Sequence, residues 1–141
     1  METATQISNK LVECFNRGNK CLVMGNGGSA SECSHLVSEF VTHGLPAISL
    51  CEPATITAIA NDYGYSWVFA KQLIVLGKEG DVLIGLSTSG KSKNINLAYK
   101  VSKAMKLEVL DWPRKGKDTA EIQENQLKLM HQVYKKLCES Q

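Results

Sequence analysis

The sequence predicts an α/β fold: a parallel sheet of about four main strands with helices on both faces. Three observations predict it. Short apolar runs such as Cys21-Leu22-Val23-Met24 and Asp81–Leu86 have the length of buried strands. Between them lie longer segments whose apolar residues recur at helical spacing. Turns rich in glycine and hydroxyl residues separate the two kinds of segment. Strands that alternate with helices form parallel sheets covered on both faces, and right-handed crossovers leave few topologies.

The elements follow in order. Ile7, Leu11, Val12 and Phe15 share one face of a helix over about residues 3–16, ended by Arg17-Gly18-Asn19. Lys20–Met24 is the first strand. Ser29 and Glu32 have capping-box spacing and predict a helix running to about Val41, with Leu36, Val37, Phe40 and Val41 inward. After the turn His43-Gly44-Leu45-Pro46 comes a short strand, Ala47–Leu50. Pro53 suits the first turn of a helix over Ala54–Ala60, and Trp67–Leu76 is a further helical run ending at Gly77. Asp81–Leu86 is the clearest buried strand, followed by a helix over Lys93–Met105. Leu107–Leu110 is the fourth strand, Asp111–Asp118 a charged loop, and about Thr119–Leu137 a long closing helix.

With 141 residues the chain fits one domain, spanning 1–141, with a core that needs no disulfides. A net charge of +2 gives no support to a nucleic-acid or acidic-membrane partner. The five cysteines are odd in number, scattered and without a C-x-x-C pair, as expected of reduced thiols in a cytoplasmic protein. The N-terminus lacks an apolar signal core, and the apolar runs are too short to span a membrane.

The chemistry concentrates in the loops that follow strands, where ligands of parallel sheets sit. Gly25-Asn26-Gly27-Gly28-Ser29 reads as a glycine turn between strand and helix, where bare backbone N–H groups can meet an anion. It lacks the full dinucleotide fingerprint. Ser87-Thr88-Ser89-Gly90-Lys91-Ser92 offers four hydroxyls and a helix N-terminus; it is a phosphate site or an ordinary capping loop, and its glycine–lysine spacing is not that of a Walker loop. His35 and Glu39 are four apart on one helical face: two ligands for one metal, a base beside an acid, or a surface ion pair. Gln123 and His131 interrupt the apolar face of the last helix. Eight residues span about 12 Å of helix, so either their site is elongated or the two serve sites in different subunits. Asn61-Asp62 is a turn signal or a hydroxyl-binding pair. Trp67 and Trp112 read as packing or interface residues, and His43 as loop.

Taken together, Gly25-Asn26-Gly27-Gly28-Ser29, His35 and Glu39, Asn61-Asp62, Leu86–Ser92, Ile122-Gln123-Glu124 and His131 occur in the order seen in sedoheptulose-7-phosphate isomerases, or phosphoheptose isomerases, of the sugar isomerase (SIS) domain family. The resemblance runs from about Lys20 to Leu137. It implies a three-layer, flavodoxin-like SIS fold and an aldose–ketose isomerase that converts D-sedoheptulose 7-phosphate to D-glycero-D-manno-heptose 7-phosphate through an enediol, a step toward lipopolysaccharide heptose. It implies substrate contacts at Asn26, Gly27, Gly28, Ser29, Asn61, Asp62, Ser87, Thr88, Ser89, Ser92 and Gln123. It implies zinc at His35, Glu39, Gln123 and His131, an acid–base pair of Glu39 with His131 from a neighbouring chain, and a homo-oligomer, tetramer or dimer, with sites at subunit boundaries. The chain departs from the family in a short N-terminal helix, in Ala120 where some members have an acidic residue, and in the single loop Asp111–Asp118 where members have a further strand. The other reading is a non-catalytic SIS module that binds a sugar phosphate or a protein such as a replication initiator.

Overall fold

A computed structural model describes residues 2–140; Met1 and Gln141, the two ends of the expected 1–141 domain, lie outside the described residues. Among the described residues the chain forms six α-helices and four strands: α1 (Ala4–Asn16), β1 (Cys21–Gly25), α2 (Gly28–Thr42), β2 (Ala47–Ser49), α3 (Pro53–Tyr63), α4 (Ala70–Leu76), β3 (Val82–Leu86), α5 (Lys93–Ala104), β4 (Glu108–Asp111) and α6 (Thr119–Glu139). The strands make one parallel sheet in the order β2-β1-β3-β4. The chain leaves β1 toward β2 on one side and returns to β3 on the other. The gap between β1 and β3 is therefore the topological switch point, where open parallel sheets bind ligands.

Side-chain alternation divides the core in two. Cys21 and Val23 of β1 and Val82, Ile84 and Leu86 of β3 pack against Leu11 of α1, Leu36 and Phe40 of α2, and Met130 and Val133 of α6. Leu22, Met24 and Leu83 point the other way, onto Val68, Phe69, Leu73, Ile95 and Ala98. All five residues of β1 and of β3 are buried, which explains their unbroken apolar runs.

Several boundaries differ from the sequence expectation. Ser29 does not cap α2: Gly27 is the N-cap (φ 57°) with no side-chain bond, and Ser29 lies buried inside the first turn. The capping box of this chain is at α1, where Thr3 accepts from the Gln6 amide and the Gln6 side chain accepts from the Thr3 amide. The helix expected over Trp67–Leu76 divides into a 3-10 turn, Tyr65–Trp67, and α4. α3 extends to Tyr63 and absorbs Asn61-Asp62 into its last turn. β4 is displaced by one residue, to Glu108–Asp111. Trp112 is buried and donates its indole N–H to the Gln126 carbonyl, so it is a packing residue.

The edge of the β1–β3 pair remote from the loops is pinned by one carboxylate. Asp81 is 1% exposed and accepts from the Lys20 ammonium at 2.7 Å, the Asn19 amide at 2.8 Å and the backbone N–H groups of Lys20 and Lys78 at 3.1 and 2.8 Å. Burial pushes its carboxyl up, but these donors outweigh it and hold it below the ordinary value. Asp81→Ala strands two backbone donors and an ammonium. It is expected to lower stability by about 2–4 kcal/mol, read as a fall in the urea midpoint with an unchanged m-value.

Candidate active site

The two site loops leave the sheet side by side because β1 and β3 pair in register to their last residues, Gly25 opposite Leu86. Gly25 has to be glycine: a Cβ there would lie 2.9 Å from Ser29 Cβ and 3.0 Å from the Leu86 carbonyl. The chain then turns through Asn26 and Gly27 into α2.

One polar bridge ties the loops together. Asn26 and Asn94 exchange side-chain amide bonds, Asn26 Nδ2 to Asn94 Oδ1 at 3.0 Å and Asn94 Nδ2 to Asn26 Oδ1 at 2.9 Å. The Tyr65 hydroxyl donates to the same Asn26 oxygen at 2.9 Å. The Asn26 side chain is thus engaged within the protein. Asn94 is buried at the start of α5, and together with Asn26, Tyr65, Ser66, Ser92 and Lys93 it lines a hollow of about 360 Å³ between the loops. Neither Asn94 nor Tyr65 was expected from the sequence. A larger hollow of about 450 Å³ lies between α1 and α6, but none of the expected site residues lines it.

The Ser87–Ser92 loop is ordered by its own hydroxyls. Ser87 Oγ accepts from the Gly90 N–H and Ser89 Oγ from the Lys91 N–H, both at 3.0 Å. The Ser87 carbonyl accepts from Gln126 of α6 at 3.2 Å. Ser92 is the N-cap of α5, and its side chain makes no capping bond. That leaves its hydroxyl and the positive end of a twelve-residue helix for an anion.

On the other side of the glycine turn, α2 and α6 lie side by side. Their inner faces carry Cys33, Leu36 and Phe40 on one helix and Met130, Val133 and Leu137 on the other. The flanking positions then face each other across the seam. His35 Nε2 is 2.8 Å from Glu39 Oε1, His131 Nε2 is 3.5 Å from the same oxygen, and the two imidazole nitrogens are 3.4 Å apart. The expectation that His131 would act from a neighbouring chain is corrected: it meets His35 and Glu39 of its own chain. Gln123, at the other end of α6, lies against Gly28, where a Cβ would be 2.6 Å from its amide nitrogen.

These residues fit a metal ion. Donor atoms of His35, Glu39 and His131 lie within 4.8 Å of one another. Two ligands of a tetrahedral zinc with bonds near 2.05 Å sit about 3.3 Å apart, inside the observed range. In their neutral forms the His35 and His131 rings can each present an Nε2 lone pair to the same point. The second oxygen of Glu39 is buried and has no hydrogen-bond partner among the described residues. A cation would draw on those lone pairs and on the Glu39 carboxylate together.

Other titratable groups border the seam. Glu32, one turn before His35, has a buried oxygen without a partner. Burial raises its carboxyl to about 7, against the opposing pull of His35. Its capping spacing had suggested a different role. Cys51 donates to the Gly25 carbonyl at 3.3 Å, and a hydrogen bond from Cys33 lowers its thiol to about 7 despite burial. His43 is at the C-terminal end of α2, where its ring meets the Tyr134 hydroxyl. Asn61 and Asp62 are not brought to the loops; both are exposed on α3 and bond to each other at 3.1 Å.

Residues 2–110 match the SIS domain family. The phosphoheptose isomerase of Thermodesulfovibrio yellowstonii is 40% identical over 89% of this chain and 74% of that protein. Those of Roseiflexus sp. and Burkholderia pseudomallei are 48% and 45% identical, over 69% and 74% of this chain. The chain spans only 53% and 56% of those two relatives. The structure of a phosphoheptose isomerase from Neisseria gonorrhoeae superposes with a TM-score of 0.92 at 33% identity, covering 96% of this chain and 85% of that one. One from Francisella tularensis gives 0.91 at 32% identity.

A raised carboxyl at Glu32 means that the folded protein binds a proton between pH 4.5 and 7 that the unfolded chain has released. Glu32's contribution to stability is therefore full below pH 4.5 and lost as pH rises through 7. Glu32→Gln is expected to flatten that part of the pH–stability curve. At pH 8 the variant should be more stable than wild type by on the order of 1 kcal/mol, a figure reduced for partial solvent screening, as measured by urea denaturation at pH 4 and pH 8.

Proposed function

Because the chain belongs to the SIS domain family and, within it, to the phosphoheptose isomerases, we propose that it is an aldose–ketose isomerase acting on D-sedoheptulose 7-phosphate. The observation that carries the reading is the convergence of His35, Glu39 and His131, the first two on the helix that leaves the glycine turn at the switch point. The product, D-glycero-D-manno-heptose 7-phosphate, belongs to lipopolysaccharide heptose synthesis in the cytoplasm. Among the described residues no helix is long and apolar enough to cross a membrane.

The sugar phosphate is anchored at one end by Ser87, Thr88, Ser89 and Ser92, through hydroxyls, loop amides and the N-terminus of α5. Gly27, Gly28 and Ser29 line its path through backbone groups, and Gln123 reaches the same turn from α6. Moving the carbonyl from C2 to C1 requires a proton to leave C1 and another to arrive at C2. The Glu39 carboxylate takes the C1 proton and returns one to C2 of the enediol. His131, 3.5 Å from that carboxylate, passes protons between the two hydroxyl oxygens. His35 fixes the Glu39 carboxylate by its 2.8 Å contact. His35, Glu39 and His131, with Gln123 as the further donor implied by the resemblance, would hold zinc, which polarises the sugar oxygens when bound.

Association with further copies is supported by the far side of the sheet. α3 buries none of its residues. Ile74, Val75 and Leu76 at the end of α4 are 52%, 75% and 39% exposed, and Tyr63 and Tyr65 are as open. We assign this face to a homo-oligomer, dimer or tetramer, in which the outward Asn61-Asp62 pair serves a neighbouring site.

The test follows conversion of D-sedoheptulose 7-phosphate by NMR. Wild type with zinc should form the aldose. Glu39→Gln should lower turnover about 10²- to 10⁴-fold while sugar phosphate still binds. Unchanged turnover in that variant overturns the role of Glu39. A wild type that takes up no zinc when it is supplied, and leaves the ketose untouched, favours the non-catalytic binding module.

A further inference from the structure

We propose that Arg114 is the cation of the phosphate site, held by Asp111 against the tip of the Ser87–Ser92 loop so that its remaining N–H groups meet the phosphate. The proposal deepens the sugar-phosphate reading and rests on it.

The placement comes from the sheet. β4 pairs with β3, so the chain leaving β4 emerges beside the chain leaving β3. Asp111 ends β4, and Arg114 follows three residues later. Its guanidinium is gripped at two points, Nη1 to Asp111 Oδ1 at 2.7 Å and Nη2 to Asp111 Oδ2 at 3.0 Å. Asp111 also accepts from the Tyr99 hydroxyl at 2.9 Å. Tyr99 is in turn lodged against β3 where only glycine leaves room: a Cβ on Gly85 would lie 2.0 Å from the Tyr99 oxygen. Strand, tyrosine, aspartate and arginine therefore form one rigid chain of contacts.

That chain ends on the loop. The guanidinium lies flat on Gly90, with its carbon and Nε each 3.0 Å, and Nη2 3.1 Å, from where a Cβ would stand. Gly90 has φ +69°, so it is glycine for two reasons. A guanidinium carries five N–H donors, and Asp111 uses two. The other three have no partner among the described residues, and they sit at the rim of a loop that otherwise offers hydroxyls and amides. Both Asp111 oxygens are occupied, Oδ1 by Arg114 and Tyr99 and Oδ2 by Arg114. Planar, multi-point donation is the chemistry for which arginine suits phosphate.

The experiment measures inorganic phosphate binding by titration calorimetry at low salt, with the full chain. Arg114→Gln keeps the stem and removes the charge; it should weaken phosphate about tenfold or more. Arg114→Lys should fall between, since it keeps a charge but not the fork. Circular dichroism checks that each variant is folded, and the lysine variant carries the test if the glutamine variant unfolds. A folded Arg114→Gln that binds phosphate within twofold of wild type overturns the proposal. A double Ser89→Ala, Ser92→Ala variant that loses phosphate while Arg114→Gln retains it overturns the role of Arg114 and leaves the loop reading standing. A wild type that binds no phosphate overturns both.

Discussion

Everything at the site depends on the parallel pairing of β1 with β3 to the same level. The register runs from Cys21 opposite Val82 to Gly25 opposite Leu86. Asp81 locks the end where the strands begin. At the other end Gly25 is the only residue type that lets Ser29 and the Leu86 carbonyl approach so closely. A slip of one residue would turn the Cys21–Val23 face to the wrong layer and offset the two loops. With the register held, the reciprocal Asn26–Asn94 amides can form, and the glycine turn and the serine loop become two walls of one site.

The second consequence is the direction of α2. It starts directly from the glycine turn, and its buried stripe of Cys33, Leu36 and Phe40 sets its rotation. His35 and Glu39 then have only one place to point, the seam with α6. α6 packs through Met130, Val133 and Leu137, which turns His131 to meet them. The cluster is thus a product of two apolar stripes, and the polar residues are carried into position by residues that never touch a ligand. A buried carboxylate oxygen without a hydrogen-bond partner is costly in isolation, and here it stands beside two converging imidazoles. That they persist at a helix–helix seam is the physical ground for assigning them to a cation and to proton transfer.

Much of this was legible in the residues. The buried strands are apolar without interruption, and the four-residue spacing of His35 and Glu39 needs only a helix to become a pair. What was not legible depends on long-range placement. Asn94 is one polar residue in the first turn of a polar-looking segment, and nothing local marks it as the partner of Asn26. Pro113-Arg114-Lys115 reads as a solvated loop until β4 is seen beside β3. Glu32 has the spacing of a capping residue, yet Gly27 takes the cap and leaves Glu32 partly buried. Gln123 and His131 stand on the same helix, and the fold carries them to different neighbours, Gln123 to Gly28 and His131 to His35 and Glu39.

We assign the His35, Glu39 and His131 donors that one chain brings together from α2 and α6 to a metal site of nitrogen and oxygen ligands. X-ray absorption at the zinc edge of the zinc-loaded protein tests it most directly. The zinc shell should consist of nitrogen and oxygen ligands containing two imidazoles, reduced to one by His131→Ala. A sulfur ligand, drawn from any of the five free cysteines, or a shell unchanged by His131→Ala, would contradict it.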